Sequence, residues 1–146
     1  MAAVAETVRR LRRVEYDKLV ALGVFAGGRI ELIDGALLQM SPMGPRHRAP
    51  VDRLTELLVL AFVGRARGRV QGSFAVGEFS EPEPDVCVLP LGDYDAEHPR
   101  HAHLVSEVAE SSLSYDRARK ARLYAEAEVP EYWIVNLLEH TVEVHQ

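Results

Sequence analysis

Apolar and polar positions alternate along this chain in a way that predicts a helix, a hairpin, a second helix, and then strands interleaved with a third helix. Val8, Leu11, Val14 and Leu19 recur at a loose helical spacing, and Gly23 with Gly27-Gly28 closes the stretch, so an amphipathic opening helix is predicted over residues 4–22. Arg29–Ile33 and Ala36–Met40 flank Asp34-Gly35, a pair suited to the left-handed dihedrals of a two-residue β-turn, which predicts a β-hairpin. After the breaker-rich Ser41-Pro42-Met43-Gly44-Pro45, apolar residues at Leu54, Leu57, Leu58 and Ala61 predict the inward face of a long helix reaching about Arg65.

Residues 69–76 read as a strand, and Glu81-Pro82-Glu83-Pro84 as a stiff lead into a further strand, Asp85-Val86-Cys87-Val88-Leu89. Gly, Asp and Pro residues at 90–100 predict a surface loop before the strand Leu104–Ala109. A helix over about 115–128 follows, and residues 132–135 and 141–144 close the chain as two strands. With no internal repeat, low-complexity stretch or charge block, this alternation predicts one domain over residues 1–146, of α/β class, with a mixed β-sheet flanked by helices.

Composition narrows the function classes. The longest apolar run, Leu57 to Val63, is far short of the roughly 20 residues a bilayer crossing needs, and the arginine-bearing N-terminus has no signal-type apolar core. A cytoplasmic location with no membrane partner is the expectation. Cys87 stands alone, which excludes an internal disulfide and a cysteine-based zinc cluster and leaves it a core-filling role. A formal net charge of −5 argues against a protein that coats nucleic acid non-specifically, because that affinity comes from Lys and Arg neutralising phosphates. Local patches remain, with Arg46, His47, Arg48 and Arg53 at the start of the second helix and Arg65, Arg67 and Arg69 at its end. Solvated helix ends would account for them as well. No glycine-rich phosphate loop follows any strand.

Two carboxylates sit within apolar strand segments, Asp85 in Pro84-Asp85-Val86-Cys87-Val88-Leu89 and Glu107 in Leu104-Val105-Ser106-Glu107-Val108-Ala109, and Lys120 follows shortly after. Burying a charge is costly unless it is paired or holds a cation. At about 100° per residue, Lys120 shares a helix face with Leu123, Tyr124 and Ala127, opposite Arg119, Arg122 and Glu126, and so turns toward the sheet. A structural ion pair between Lys120 and Glu107 is one reading. The other adds Asp85 from an adjacent strand, because two like charges brought together must share a proton or a metal, and hard oxygen ligands suit Mg²⁺ or Mn²⁺. Alternatively, Asp85 is a turn acceptor after proline. Glu31, between Ile30 and Leu32, either reaches the same cation or lies on a solvent-facing strand edge. His47 is read as a contact to a substrate phosphate or as a surface histidine, and Ser111-Ser112 as a helix cap rather than a nucleophile.

Several blocks of this sequence together resemble the bacterial Uma-type endonucleases, a branch of the PD-(D/E)XK nuclease superfamily. They are Glu31-Leu32-Ile33-Asp34-Gly35, Met40-Ser41-Pro42-Met43-Gly44 with Arg46-His47, Ser80-Glu81-Pro82-Glu83-Pro84-Asp85, Glu107-Val108-Ala109-Glu110-Ser111-Ser112-Leu113, Tyr115-Asp116-Arg117 with Lys120, and Val129-Pro130-Glu131-Tyr132-Trp133-Ile134-Val135. The resemblance implies a restriction endonuclease-like core in which Asp85 is the Asp of the PD element and Glu107 the acid of the (D/E)XK element. Ala109 holds the usual lysine position, so Lys120 would send its amine into that space from the following helix. Glu31 is similar to the family's additional active-site acid.

Ser106 and Asn136 depart from the family pattern, which has an apolar residue and an Asp at these places. Relatives usually continue through further strands beyond the position of Gln146, so residues 141–144 are expected to form an open edge that invites a homodimer. The implied activity is Mg²⁺- or Mn²⁺-dependent hydrolysis of nucleic-acid phosphodiesters, of DNA ahead of RNA. Asp85, Glu107 and the Val108 carbonyl would hold the metal, with Glu31 and Lys120 alongside and Arg46 and His47 on the substrate. The rival expectation is a non-cleaving binding module whose acids and lysine form a structural network. A small-molecule phosphoester hydrolase would require a closed pocket instead of a groove.

Overall fold

The computed structural model describes residues 5–146. Helix α1 (Arg13–Ala21) precedes a hairpin of β1 (Arg29–Ile33) and β2 (Ala36–Met40), then come α2 (Pro45–Phe62), β3 (Arg67–Val70), β4 (Val86–Leu89) and β5 (Leu104–Ala109). Helix α3 runs through Leu113–Tyr115, a π-wound turn Asp116–Lys120 and Ala121–Glu126 without interruption, and β6 (Tyr132–Asn136) and β7 (Thr141–His145) follow. The main sheet has the order β3-β4-β5-β6-β7, antiparallel except for the β5–β6 pair. Parallel neighbours need a connection long enough to return to the starting edge, and α3 is that connection. The α/β class with a mixed sheet and flanking helices is therefore as expected.

Strand alternation sorts the core into two layers. Val86, Val88, Leu104 and Val108 pack against Val51 and Leu58 of α2, whereas Cys87, Leu89, Val105, Ala109 and Ile134 pack with Leu123 and Tyr124 of α3 and with Ile33 and Phe74. Burial on both faces is why β4 and β5 read as almost unbroken apolar runs, and it puts Cys87 in the core as expected. A charge in either strand thus has nowhere to reach water except past the sheet end.

The hairpin forms at the predicted residues, with Asp34 and Gly35 at φ 49° and 81°. Gly35 is needed twice over, because a Cβ there would also lie 2.5 Å from the Arg10 Cβ. Gly35→Ala is expected to destabilise the fold by about 1–2 kcal/mol, read as a lower urea midpoint.

Four expectations are corrected. The opening helix begins at Arg13, and within the described residues the stretch before it forms no helix, with Leu11 N–H donating to the Gly35 carbonyl, Arg13 N–H to the Glu78 carbonyl, and the Arg10 guanidinium over the Phe79 ring. Tertiary partners outbid a loosely periodic helix there; Val4 lies outside the described residues. β3 is Arg67–Val70 rather than 69–76, because Gln71 takes a positive φ and the chain then leaves the ladder to bond Pro82 and Pro99 through Phe74 and Ala75 N–H. The buried face of α2 is Val51, Leu58 and, in part, Leu54 and Phe62, leaving Leu57 and Ala61 exposed. Ser112 holds the N-cap place of α3, but its hydroxyl donates to Asp116 Oδ2 at 2.7 Å instead of capping.

Among the described residues β7 is an edge strand, with Val142 and Val144 about half exposed, and no helix is long and apolar enough to cross a membrane.

Candidate active site

The odd-numbered side chains of β5 face α3, so Glu107 points at the helix between Val105 and Ala109. On α3, Lys120, Leu123 and Tyr124 turn inward, as the helical wheel requires. Lys120 Nζ lies 3.0 Å from Glu31 Oε1 and 3.6 Å from Glu107 Oε2, with the lysine only 2% exposed. Glu31 Oε1 also accepts the Glu83 N–H at 2.8 Å, which ties the hairpin to the proline-rich lead. That lead delivers Asp85 one residue before β4 begins.

In the β5–β6 ladder, Val105 and Ala109 bond to the β6 side, so the peptide of Val108 faces the other way, toward β4. Its N–H donates to Asp85 Oδ2 at 2.8 Å, and its carbonyl projects from the same side of the strand. Glu31, Asp85, Glu107, Val108, Lys120 and His47 all line one cavity of about 680 Å³. His47 Nε2 sits 3.7 Å from Asp85 Oδ2 and has no hydrogen-bond partner. Arg46 is at the rim, largely exposed and paired with Glu110, which does line the cavity.

Three further groups line this pocket or bond a residue that does, and were not assigned a role from sequence. Asp116 is 3% exposed and lines the cavity; it lies four residues before Lys120, a spacing that puts both on one helix face and could have revealed it. Tyr124 donates its hydroxyl to Glu107 Oε1 at 3.1 Å. Glu83 shares the cavity wall, and only its place between two prolines hints at this. The π-wound turn spanning Asp116–Lys120 is of a kind common at functional sites.

Electrostatically the pocket has too many acids for its one ammonium. Burial pushes the Glu107 carboxyl well above the ordinary carboxylate range, outweighing Lys120, with Asp85, Asp116 and Glu31 adding to the rise. Burial also raises Asp116, from 3.8 to about 6, against Ser112 and Lys120. Burial alone would lower the Lys120 ammonium, but Glu107 and Glu31 together reverse that and hold it charged.

For Asp116 the folded state binds its proton more tightly than the unfolded chain. The associated stability is present at low pH and is lost as pH rises from about 4 through 6. In EDTA, the protein is expected to be about 1 kcal/mol less stable at pH 7 than at pH 5 on this account. Urea midpoints at the two pH values check it, and Asp116→Asn should narrow the difference.

An excess of buried carboxylates over cations is what a hard divalent ion relieves. Asp85, Glu107 and the Val108 carbonyl are oxygen donors that could hold such an ion. The tightest three-residue acid and histidine group among the described residues is elsewhere, at Asp17, Glu81 and His98.

Two comparisons bear on kinship. The profile of the Uma2 family, described as "Putative restriction endonuclease", matches residues 14–146. A crystal structure from Anabaena variabilis ATCC 29413, described as a "putative nuclease belonging to DUF820", superposes with a TM-score of 0.68 at 16% identity, covering 82% of this chain and 72% of that one. No curated protein matches the chain. The structural likeness shows a shared nuclease-type fold, and the profile match over nearly the whole length shows that the chain belongs to the Uma2 restriction endonuclease family.

Proposed function

We propose that this protein is a metal-dependent endonuclease that hydrolyses phosphodiester bonds in nucleic acid, DNA in preference to RNA. The observation that carries the reading is the meeting of Asp85, Glu107, Lys120 and the Val108 peptide in a single cavity, from positions far apart in the chain. A divalent ion, Mg²⁺ or Mn²⁺, held by Asp85, Glu107 and the Val108 carbonyl supplies Lewis-acid polarisation of the phosphate and a more acidic water. Lys120 presents a fixed positive charge where negative charge develops on the phosphate, its direction set by Glu31. Tyr124 orients Glu107 through its hydroxyl, and the Val108 N–H orients Asp85. His47 has an unpartnered ring nitrogen in the cavity and Arg46 lies at its rim, so both suit contacts to the substrate backbone. The family description favours DNA, and the unpaired β7 edge suits a homodimer in which a second copy extends the sheet.

The test is incubation of the purified full chain with supercoiled plasmid and with structured RNA in Mn²⁺, Mg²⁺, Ca²⁺ or EDTA. Nicking or linearisation with Mn²⁺ or Mg²⁺ and none in EDTA is the expected result; cleavage that persists in EDTA, or no cleavage with any cation, rejects the proposal. A rival reading is favoured by one contact: Lys120 is buried and tied to Glu31 at 3.0 Å, as it would be in a purely structural network. That reading requires no saturable Mn²⁺ binding heat dependent on Asp85, so calorimetric titration separates the two.

A further inference from the structure

Outside the cavity just described, Asp17 of α1, Glu81 of the lead into β4 and His98 of the loop before β5 meet at a second point. His98 Nε2 lies 3.9 Å from Glu81 Oε2 and 4.0 Å from Asp17 Oδ1, and one donor atom from each residue falls within 4.8 Å of the other two. Metal–ligand bonds of about 2.1 Å hold neighbouring ligands roughly 3–4 Å apart, so a small contraction around an ion would bring these atoms into its shell.

Glu81 supplies the independent observation. It is 1% exposed, and its Oε1 is fully buried without a hydrogen-bond partner. A buried carboxylate in that condition is costly unless a proton or a cation offsets it, and burial with the Asp17 carboxyl alongside raises Glu81 to about 8. Arg13 Nε approaches Oε1 at 3.7 Å, too far for a hydrogen bond, and is itself left without a partner. Arg13 therefore answers one oxygen only in part, while Oε2 faces the imidazole and the second acid. Asp17 and His98 line a cavity of about 540 Å³, which gives an ion a way in.

We propose that Asp17, Glu81 and His98 form a binding site for a divalent transition metal, distinct from the Asp85 site, that staples three elements together. One imidazole nitrogen with two carboxylates is a donor set for Zn²⁺, Co²⁺ or Mn²⁺ rather than for Mg²⁺ or Ca²⁺, which prefer oxygen alone. The ion would join α1 and the loop before β5 to the segment that bridges β1 at Leu32 and delivers Asp85 four residues later. Its role is structural, and it does not depend on the nuclease reading.

The experiment uses the full chain carrying Asp85→Asn and Glu107→Gln, which disables the other site, stripped of metal and titrated with Co²⁺ under visible absorption. One equivalent of Co²⁺ with ligand-field bands, displaced by Zn²⁺, is expected, together with a higher melting temperature in Zn²⁺. Adding His98→Ala, a change at a partly exposed loop position, should weaken Co²⁺ at least about tenfold and remove the Zn²⁺ thermal shift. Absence of Co²⁺ binding in the Asp85→Asn/Glu107→Gln chain, or binding that His98→Ala leaves unchanged, overturns the proposal. A parental chain, with Asp85 and Glu107 intact, that cleaves nothing yet still takes up this ion would reject the nuclease assignment alone.

Discussion

Asp85→Asn is expected to reduce Mn²⁺-dependent plasmid cleavage by more than about 10²-fold, beyond the loss that follows removal of an outer-shell partner of a metal ligand. Asparagine keeps the size of the side chain, and its carbonyl oxygen can still accept the Val108 N–H, so the segment before β4 keeps its place. What disappears is one negative charge in a pocket that already holds Glu31, Glu107 and Asp116 against a single ammonium. Asp85 helps to push the Glu107 carboxyl up, so its neutralisation should leave the metal-free protein as stable as before or more so. Loss of activity with a melting temperature unchanged or raised is the signature of a group retained for function at a cost in stability. A variant that cleaves at the parental rate, or one that loses activity only because it unfolds, would defeat this assignment.

Lys120→Met should be costly in the opposite way. Methionine fills much of the space of the lysine stem, but it leaves Glu31 and Glu107 buried without their shared cation. Breaking a buried pair by removing one partner typically costs about 3–5 kcal/mol, and a loss in that range is expected from urea unfolding at pH 8 in EDTA. Adding Glu31→Gln should recover part of it, because the contact at 3.0 Å is the closer of the two and its carboxylate would no longer be charged. A loss below about 1 kcal/mol, with the two substitutions simply additive, would mean that the lysine is not the counter-charge of this pocket. Cleavage should fall in Lys120→Met even where Mn²⁺ restores its folding, since the positive charge near the phosphate is gone.

Legibility in the sequence followed the range of the forces involved. The hairpin was readable to the residue because Asp34-Gly35 sets its own dihedrals. β4 and β5 were readable because burial on both faces leaves an apolar run. Lys120 was readable because its inward direction follows from helical spacing alone. The non-helical course of the residues before Arg13 and the early end of β3 were not, since both follow from backbone bonds to distant loops. The buried face of α2 was only partly legible for a similar reason: Leu58 and, in part, Leu54 are inside as their spacing predicts, but Val51 joins them and Leu57 and Ala61 do not because of where Val86, Val88 and Leu104 stand.

The two departures from the family pattern also find their place only in three dimensions. Asn136 Nδ2 donates to Glu143, and Oδ1 accepts the N–H groups of Leu138 and Glu139, so it shapes the β6–β7 turn; Ser106 is buried on the face away from Lys120.

By itself the chain determined its element order, its hairpin, the strand and helix faces bearing Glu107 and Lys120, and its family. Only the tertiary structure decided that Glu31 and Lys120 meet across 89 positions, that Asp116 and Glu83 line the cavity while Tyr124 bonds Glu107 behind it, and that Asp17 and His98 converge on Glu81. Periodicity reports the direction in which a side chain leaves its own element. Which charges become neighbours, and how far from water, depends on the packing of elements against one another, and that sets both their protonation and their capacity for a metal.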